Sequence, residues 1–249
     1  MALFEAHNLS KRLGDQIVLE DISLSFEQGQ LSGIMGPNGA GKSTCFNVLT
    51  GHFPPDRGHV IFDGVDITGQ SPRRIAERGI ARSFQIISLF DEFTALENVL
   101  LALPRIQRQS FNLVRDVGRD SIALDEALAV LEQVGLAASA NIRSASLSYG
   151  DRRALEIAVA LAVRPRLLFL DEPTQGMGAS GRKRLFELIG RLKAEFTIVM
   201  IEHDMDFLFA LADRVSVIHW GQVIARGTPL ELRADPWVRR SSLGVGKNA

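Results

Sequence analysis

Nine consecutive residues, Gly36-Pro37-Asn38-Gly39-Ala40-Gly41-Lys42-Ser43-Thr44, fit the spacing G-x-x-x-x-G-K-[ST] in full. Three glycines let the backbone turn its N–H groups inward around an anion, and a helix opening at Lys42 would aim its positive end at the same point. Lys42 would neutralise the outer phosphates of a nucleotide, and the Ser43 hydroxyl would ligate Mg²⁺. The whole run from Gly36 to Thr44 is therefore read as a phosphate cradle.

Four further places carry groups suited to the same chemistry. An apolar run at 167–170 ends abruptly in Asp171-Glu172, two acids that need a cation or a proton in transit to justify them. Asp171 suits Mg²⁺ through its water shell, and Glu172 suits the general base that polarises an attacking water. His203 follows another apolar run, 197–201, where an imidazole can meet a terminal phosphate. Gln85 ends the run 80–84 with a carbonyl for a metal and an amide for water. Finally, Ser148-Tyr149-Gly150 opens an apolar helix with N–H groups and a hydroxyl that would suit a second anion.

These residues need elements to hold them. Residues 31–35 read as a buried strand before the cradle and 42–49 as the helix after it. Strands at 3–9, 17–26 and 58–62, with turns at Gly14-Asp15 and Asp63-Gly64, form an antiparallel layer. Residues 71–78 read as a helix with Pro72 in its first turn. Thr94-Ala95-Leu96-Glu97 has the form of a capping box, opening a helix through Leu103 that Pro104 ends. Residues 105–122 read as a solvated connection, 124–134 as a helix stopped at Gly135, and the stretch after Ser148 through Ala162 as a buried helix. Strands at 167–170, 197–201 and 214–218 alternate with helices at 180–193 and 205–212, which implies a parallel sheet with helices on its faces. The fold class is α/β: one domain over 1–249, with a mainly parallel core sheet, an N-terminal antiparallel β layer, an inserted helical subdomain at about 90–163 and a tail at about 228–249.

The chain of 249 residues has a net charge of −1 and a pI near 6.5, so it carries no electrostatic footprint for nucleic acid. Its one cysteine, Cys45, excludes a disulfide framework and reads as a small buried apolar group. No apolar run approaches the roughly 20 residues that span a bilayer, and the N-terminus has no secretory pattern. Work at a membrane would need another chain to do the spanning.

In order along the chain, the phosphate loop, Gln85, Leu147-Ser148-Tyr149-Gly150-Asp151, the strand ending at Glu172, and His203 resemble the ATP-binding subunit of ABC transporters, over about the whole chain. The resemblance implies a P-loop NTPase core that binds ATP and Mg²⁺, and two subunits paired head to tail so that Ser148 and Gly150 of one cap the nucleotide in the other's cradle. It makes Gln85 a lid residue touching a membrane subunit, Asp171 and Glu172 the metal and water residues, and His203 the switch histidine. More narrowly, Gly51-His52-Phe53, Arg82-Ser83-Phe84-Gln85, Leu96-Glu97-Asn98-Val99 and Gly227-Thr228-Pro229 resemble the ATPases of branched-chain amino-acid importers and their urea and amide relatives. That implies an ATPase at the cytoplasmic face of the cell membrane, powering uptake of hydrophobic amino acids or a related small polar solute. Its partners would be membrane-spanning permease subunits, a second ABC ATPase and, indirectly, a solute-binding protein. Three positions depart from the pattern: Leu13 where an aromatic usually stacks on adenine, Asp151 for Gln or Glu, and Gly178 for Asp or Asn. Leu13 and Gly178 motivate the alternative of an ATP-gated, weakly hydrolysing partner of a second ATPase.

Overall fold

The computed structural model describes residues 2–83, 89–109, 120–236 and 238. β1 (Ala2–Leu13) and β2 (Gln16–Glu27) pair antiparallel around the Gly14-Asp15 turn. The chain then crosses into a second sheet as β3 (Leu31–Met35), passes through the cradle into α1 (Lys42–Leu49), and returns as β4 (Arg57–Phe62) and β5 (Val65–Asp66). The result is a four-stranded antiparallel sheet in the order β2-β1-β4-β5. α2 (Pro72–Glu77) and β6 (Ile80–Arg82) follow, and residues 84–88, which include the expected lid residue Gln85, lie outside the described residues.

The helical part is α3 (Ala95–Ala102), α4 (Pro104–Gln109), α5 (Ser121–Gln133) and α6 (Tyr149–Ala162). Thr94 and Glu97 form the expected reciprocal capping box. Pro104 does end α3, but it also opens α4, because a ring that cannot continue one helix suits the first turn of the next. α5 begins at Ser121, three residues before the expected start, because Asp120 accepts a hydrogen bond from the Ala123 N–H.

The core resumes with β7 (Leu167–Asp171), α7 (Ala179–Leu192), β8 (Thr197–Ile201), α8 (Met205–Leu211) and β9 (Arg214–His219). Beyond the expected elements lie β10 (Gln222–Gly227) and α9 (Pro229–Ala234), the latter opened by a second capping box between Thr228 and Glu231. The core sheet runs β10-β9-β3-β8-β7-β6, parallel throughout except for β10 on β9.

β3, β7 and β8 are buried at every position, as expected for strands covered on both faces. Alternation divides their side chains between two cores. Leu168 and Leu170 join Val99, Leu131 and Leu155 of the helical part. Leu167 and Phe169 join the β layer, where Phe169 packs edge-on against Phe4, Phe26 and Phe46 with ring centroids 5.6, 6.4 and 5.2 Å away. Both cores therefore press on the strand that ends in Asp171-Glu172. Cys45 lies on α1, fully buried, and its apolar surroundings push the thiol up to about 12. We expect a disulfide reagent to leave it unlabelled in the folded protein at mildly alkaline pH, and to label one thiol per chain once denaturant is added. No described helix is long and apolar enough to cross a membrane.

Candidate active site

The cradle is built by close backbone approach. Gly41 caps α1 with φ +97°, and a Cβ there would meet Val18 O at 2.8 Å and Leu19 Cδ2 at 3.0 Å. A Cβ on Gly36 would lie 2.0 Å from Ile218 O. The Gly221 N–H donates to Ala40 O at 2.9 Å, so the hairpin joining β9 to β10 steadies the loop. Asn38 and Gly39 are exposed at its rim, as is Ser43 at the start of α1, with Pro37 and Thr44 half-buried.

Lys42 is buried, and its Nζ donates to Gly36 O at 2.8 Å and Pro37 O at 2.9 Å. Burial lowers its pKa, while the negative charges of Glu172 and Asp171 work to raise it. The ammonium thus already faces the two acids of β7 and is held by carbonyls of the loop it would serve.

Asp171 is 2 % exposed. Its Oδ2 accepts from Arg82 Nη2 at 2.9 Å, whereas its Oδ1 is buried with no hydrogen-bond partner among the described residues. Burial raises its pKa; Arg82 opposes that. Arg82 Nη1 also donates to Asn47 Oδ1 at 2.7 Å and Thr50 Oγ1 at 2.9 Å, and the guanidinium stacks over Phe46 at 4.6 Å. A carboxylate with one oxygen anchored and the other buried and unsatisfied fits a residue that completes its shell on a metal-bound water. Among the described residues no group of three His, Cys, Asp or Glu side chains could hold a metal alone.

Glu172 adopts φ +42°, a left-handed backbone that costs a non-glycine residue about 1–2 kcal/mol. Its N–H donates to Ile201 O at 3.0 Å. His203 Nδ1 stands 3.9 Å from Glu172 Oε2 and 3.7 Å from Glu202 Oε2, beyond hydrogen-bond range, with its side chain 52 % exposed. A cleft of about 360 Å³ is lined by Asn38, Glu172, Thr174, Gln175 and His203, which brings the cradle, the acid and the histidine to one opening.

Ser148 caps α6: its Oγ accepts from the Asp151 N–H at 3.2 Å and donates to Asp151 Oδ2 at 2.6 Å. Arg184 Nη1 holds the other oxygen of Asp151 at 3.4 Å, and a Cβ on Gly150 would approach Arg184 Nη2 to 3.4 Å. Among the described residues no hydrogen bond joins Ser148 to the cradle. Of the departures noted above, Leu13 is 45 % exposed at the end of β1, and Gly178 caps α7 without a side-chain hydrogen bond.

Sequence reading missed three participants. Arg82 figures in the sequence only as strand and as part of the Arg82-Ser83-Phe84-Gln85 resemblance, with no role at the site, although it anchors Asp171. Glu202, wholly buried, accepts from Thr174 N and Oγ1 at 2.9 and 2.6 Å and from His203 N at 3.0 Å, tying the histidine to the loop after Glu172. Arg153 sits inside a helix read as apolar nearly all round, and is 2 % exposed. The only signal that could have found them is an isolated charge within an apolar element, which must be paired if buried.

Residues 19–175 match the family described as ABC transporter. The chain is 37% identical over 249 residues to the high-affinity branched-chain amino acid transport ATP-binding protein BraF of Pseudomonas aeruginosa, an alignment covering 97% of this chain and 98% of that one. A solved ATP-binding cassette of an ABC transporter in its ADP conformation superposes with a TM-score of 0.88 at 31% identity, covering 98% of this chain and 99% of its own. A dimeric cassette in a post-hydrolysis state bound to ADP and Pi superposes with a TM-score of 0.74 at 26% identity, over 91% of this chain and 98% of its own. On sequence and fold together, the chain belongs to the ABC transporter family.

Proposed function

We propose that this chain hydrolyses ATP to power an importer of branched-chain or other hydrophobic amino acids, or of a related small polar solute. The observation that carries the reading is that Lys42, Asp171, Glu172 and His203 all lie beyond or at the carboxyl ends of β3, β7 and β8, with Glu172 and His203 lining one opening together with Asn38. This is where ligands lie in open parallel sheets. The names of the relatives above support the amino-acid cargo.

In this reading the N–H groups of 36–44 and the Lys42 ammonium hold the phosphates. Ser43, Asp171 and Gln85 would hold Mg²⁺, which when bound neutralises charge on the phosphoryl oxygens. Glu172 takes a proton from water as the water oxygen attacks the γ-phosphorus and the bond to the β–γ bridging oxygen breaks. His203 hydrogen-bonds the departing phosphoryl group. Ser148 and Gly150 lie away from their own cradle and serve that of a second cassette, a copy of this chain or a related ATPase; the solved dimeric cassette supports the pairing. A groove of about 430 Å³, lined by Ile75, Ala81, Leu89, Ala102 and Val159, supports docking of a membrane-spanning permease. Such docking would put the chain at the cytoplasmic face of the membrane, with a solute-binding protein as an indirect partner.

Steady-state hydrolysis by the purified chain across protein concentration tests this. The specific rate should rise with concentration as dimers form. Bound nucleotide with no turnover at any concentration would sink the motor reading and favour a gating partner of another ATPase.

A further inference from the structure

We infer that Arg153 and Tyr149, both in the first turns of α6, are positioning residues for Glu172: they fasten the turn that carries the candidate base to the helix that begins at Ser148. The inference rests on the ATPase reading for the role of Glu172, but the linkage itself is a matter of geometry.

Arg153 donates to three successive carbonyls, from Nη2 to Asp171 O at 2.8 Å and Glu172 O at 3.1 Å and from Nε to Pro173 O at 3.4 Å. Its Nη1 donates to Glu156 Oε2 at 2.6 Å one turn further along α6, which balances the buried charge. A planar fork of donors can bridge consecutive carbonyls; a lysine ammonium on a flexible stem cannot reproduce that grip. The middle carbonyl belongs to the residue in the left-handed conformation, so the guanidinium stabilises the backbone geometry that a glutamate resists.

Tyr149 makes a second grip farther along the same loop. Its hydroxyl donates to Gln175 O at 2.9 Å, and its ring lies against Gly176, whose φ is +75°. A Cβ on Gly176 would come within 3.1 Å of that hydroxyl and 3.4 Å of Cζ, so the glycine makes room for the phenol. Four of the five carbonyls from 171 to 175 thus accept from α6. A shift of the start of α6, where Ser148 sits, therefore passes to Glu172 within the same chain.

Two variants separate positioning from bulk structure. Tyr149→Phe removes one half-exposed hydroxyl and keeps the ring. We expect kcat to fall about three- to tenfold, the range of one hydrogen bond, with nucleotide affinity and melting temperature unchanged. Arg153→Lys keeps the charge opposite Glu156 and loses the fork, and kcat should fall by more than about tenfold with nucleotide affinity again unchanged. Values of kcat within about twofold of an active wild type in both variants would overturn the link, as would a parallel loss of kcat and affinity in Tyr149→Phe. Tyr149 is the only tyrosine in the chain, so fluorotyrosine labelling gives a single ¹⁹F resonance that needs no turnover. In nucleotide-free, dilute protein that resonance should move on Arg153→Lys; an unmoved resonance would overturn the link even if the wild type proved inactive, an outcome that would itself count against the ATPase reading alone.

Discussion

Glu172→Gln is expected to lower ATP turnover by on the order of 10²- to 10⁴-fold, the usual worth of a general base, while nucleotide remains bound. The amide is nearly isosteric with the acid, and the backbone hydrogen bonds from Glu172 N to Ile201 O and from Arg153 to Glu172 O do not involve the side chain. The fold should therefore be indifferent. Losing this carboxylate also removes a negative charge that faces Lys42, and that charge repels phosphates. Nucleotide affinity should hold steady or rise. Turnover and retained nucleotide, measured on the same preparation, check both halves; turnover within about threefold of wild type would move the base elsewhere.

Lys42→Met is expected to act at the opposite step. Met keeps the length and loses the cation, and truncating one member of a buried charge pair costs about 2–5 kcal/mol, so nucleotide affinity should fall by roughly 30- to 4,000-fold. Turnover at moderate ATP would fall with it. The protein itself should lose little stability: two carbonyls, Gly36 O and Pro37 O, lose a donor at the mouth of the cradle, but the burial of an ammonium goes with them. Nucleotide titration by calorimetry beside a thermal melt separates the two. Unchanged affinity would mean that Lys42 stays turned to its loop carbonyls when phosphates bind.

Much of the architecture was legible because it is written locally. Leu31 through Thr44 carries strand, turn and helix in consecutive residues, and Thr94 and Glu97 cap α3 three positions apart. The same signal at Thr228 and Glu231 was present and went unread as α9, because a short helix past the last expected strand has almost no apolar periodicity to announce it. β10 was hidden for a related reason: five of its six residues are exposed or partly so, and among the described residues it pairs with β9 alone. The site divides in the same way. Asp171, Glu172 and His203 were found because each stands at or just past the end of a wholly buried strand, where polarity is conspicuous. Arg82, Arg153 and Glu202 were not, because their partners lie 89, 18 and 28 positions away and only the folded chain brings them together. Composition along α6 suggested an apolar cylinder; a buried Arg–Glu pair three residues apart is compatible with that pattern and invisible in it.

The grip of Arg153 has a consequence for how such a sequence can drift. The three hydrogen bonds that Arg153 gives to residues 171–173 go to main-chain carbonyls, so an exchange of the Glu172 side chain leaves those bonds in place. The hold depends instead on residue 153, whose buried charge Glu156 balances. A descendant of this chain could therefore lose its acid and fall silent as a hydrolase while keeping the same turn, held in the same place, ready to be refilled by a single substitution.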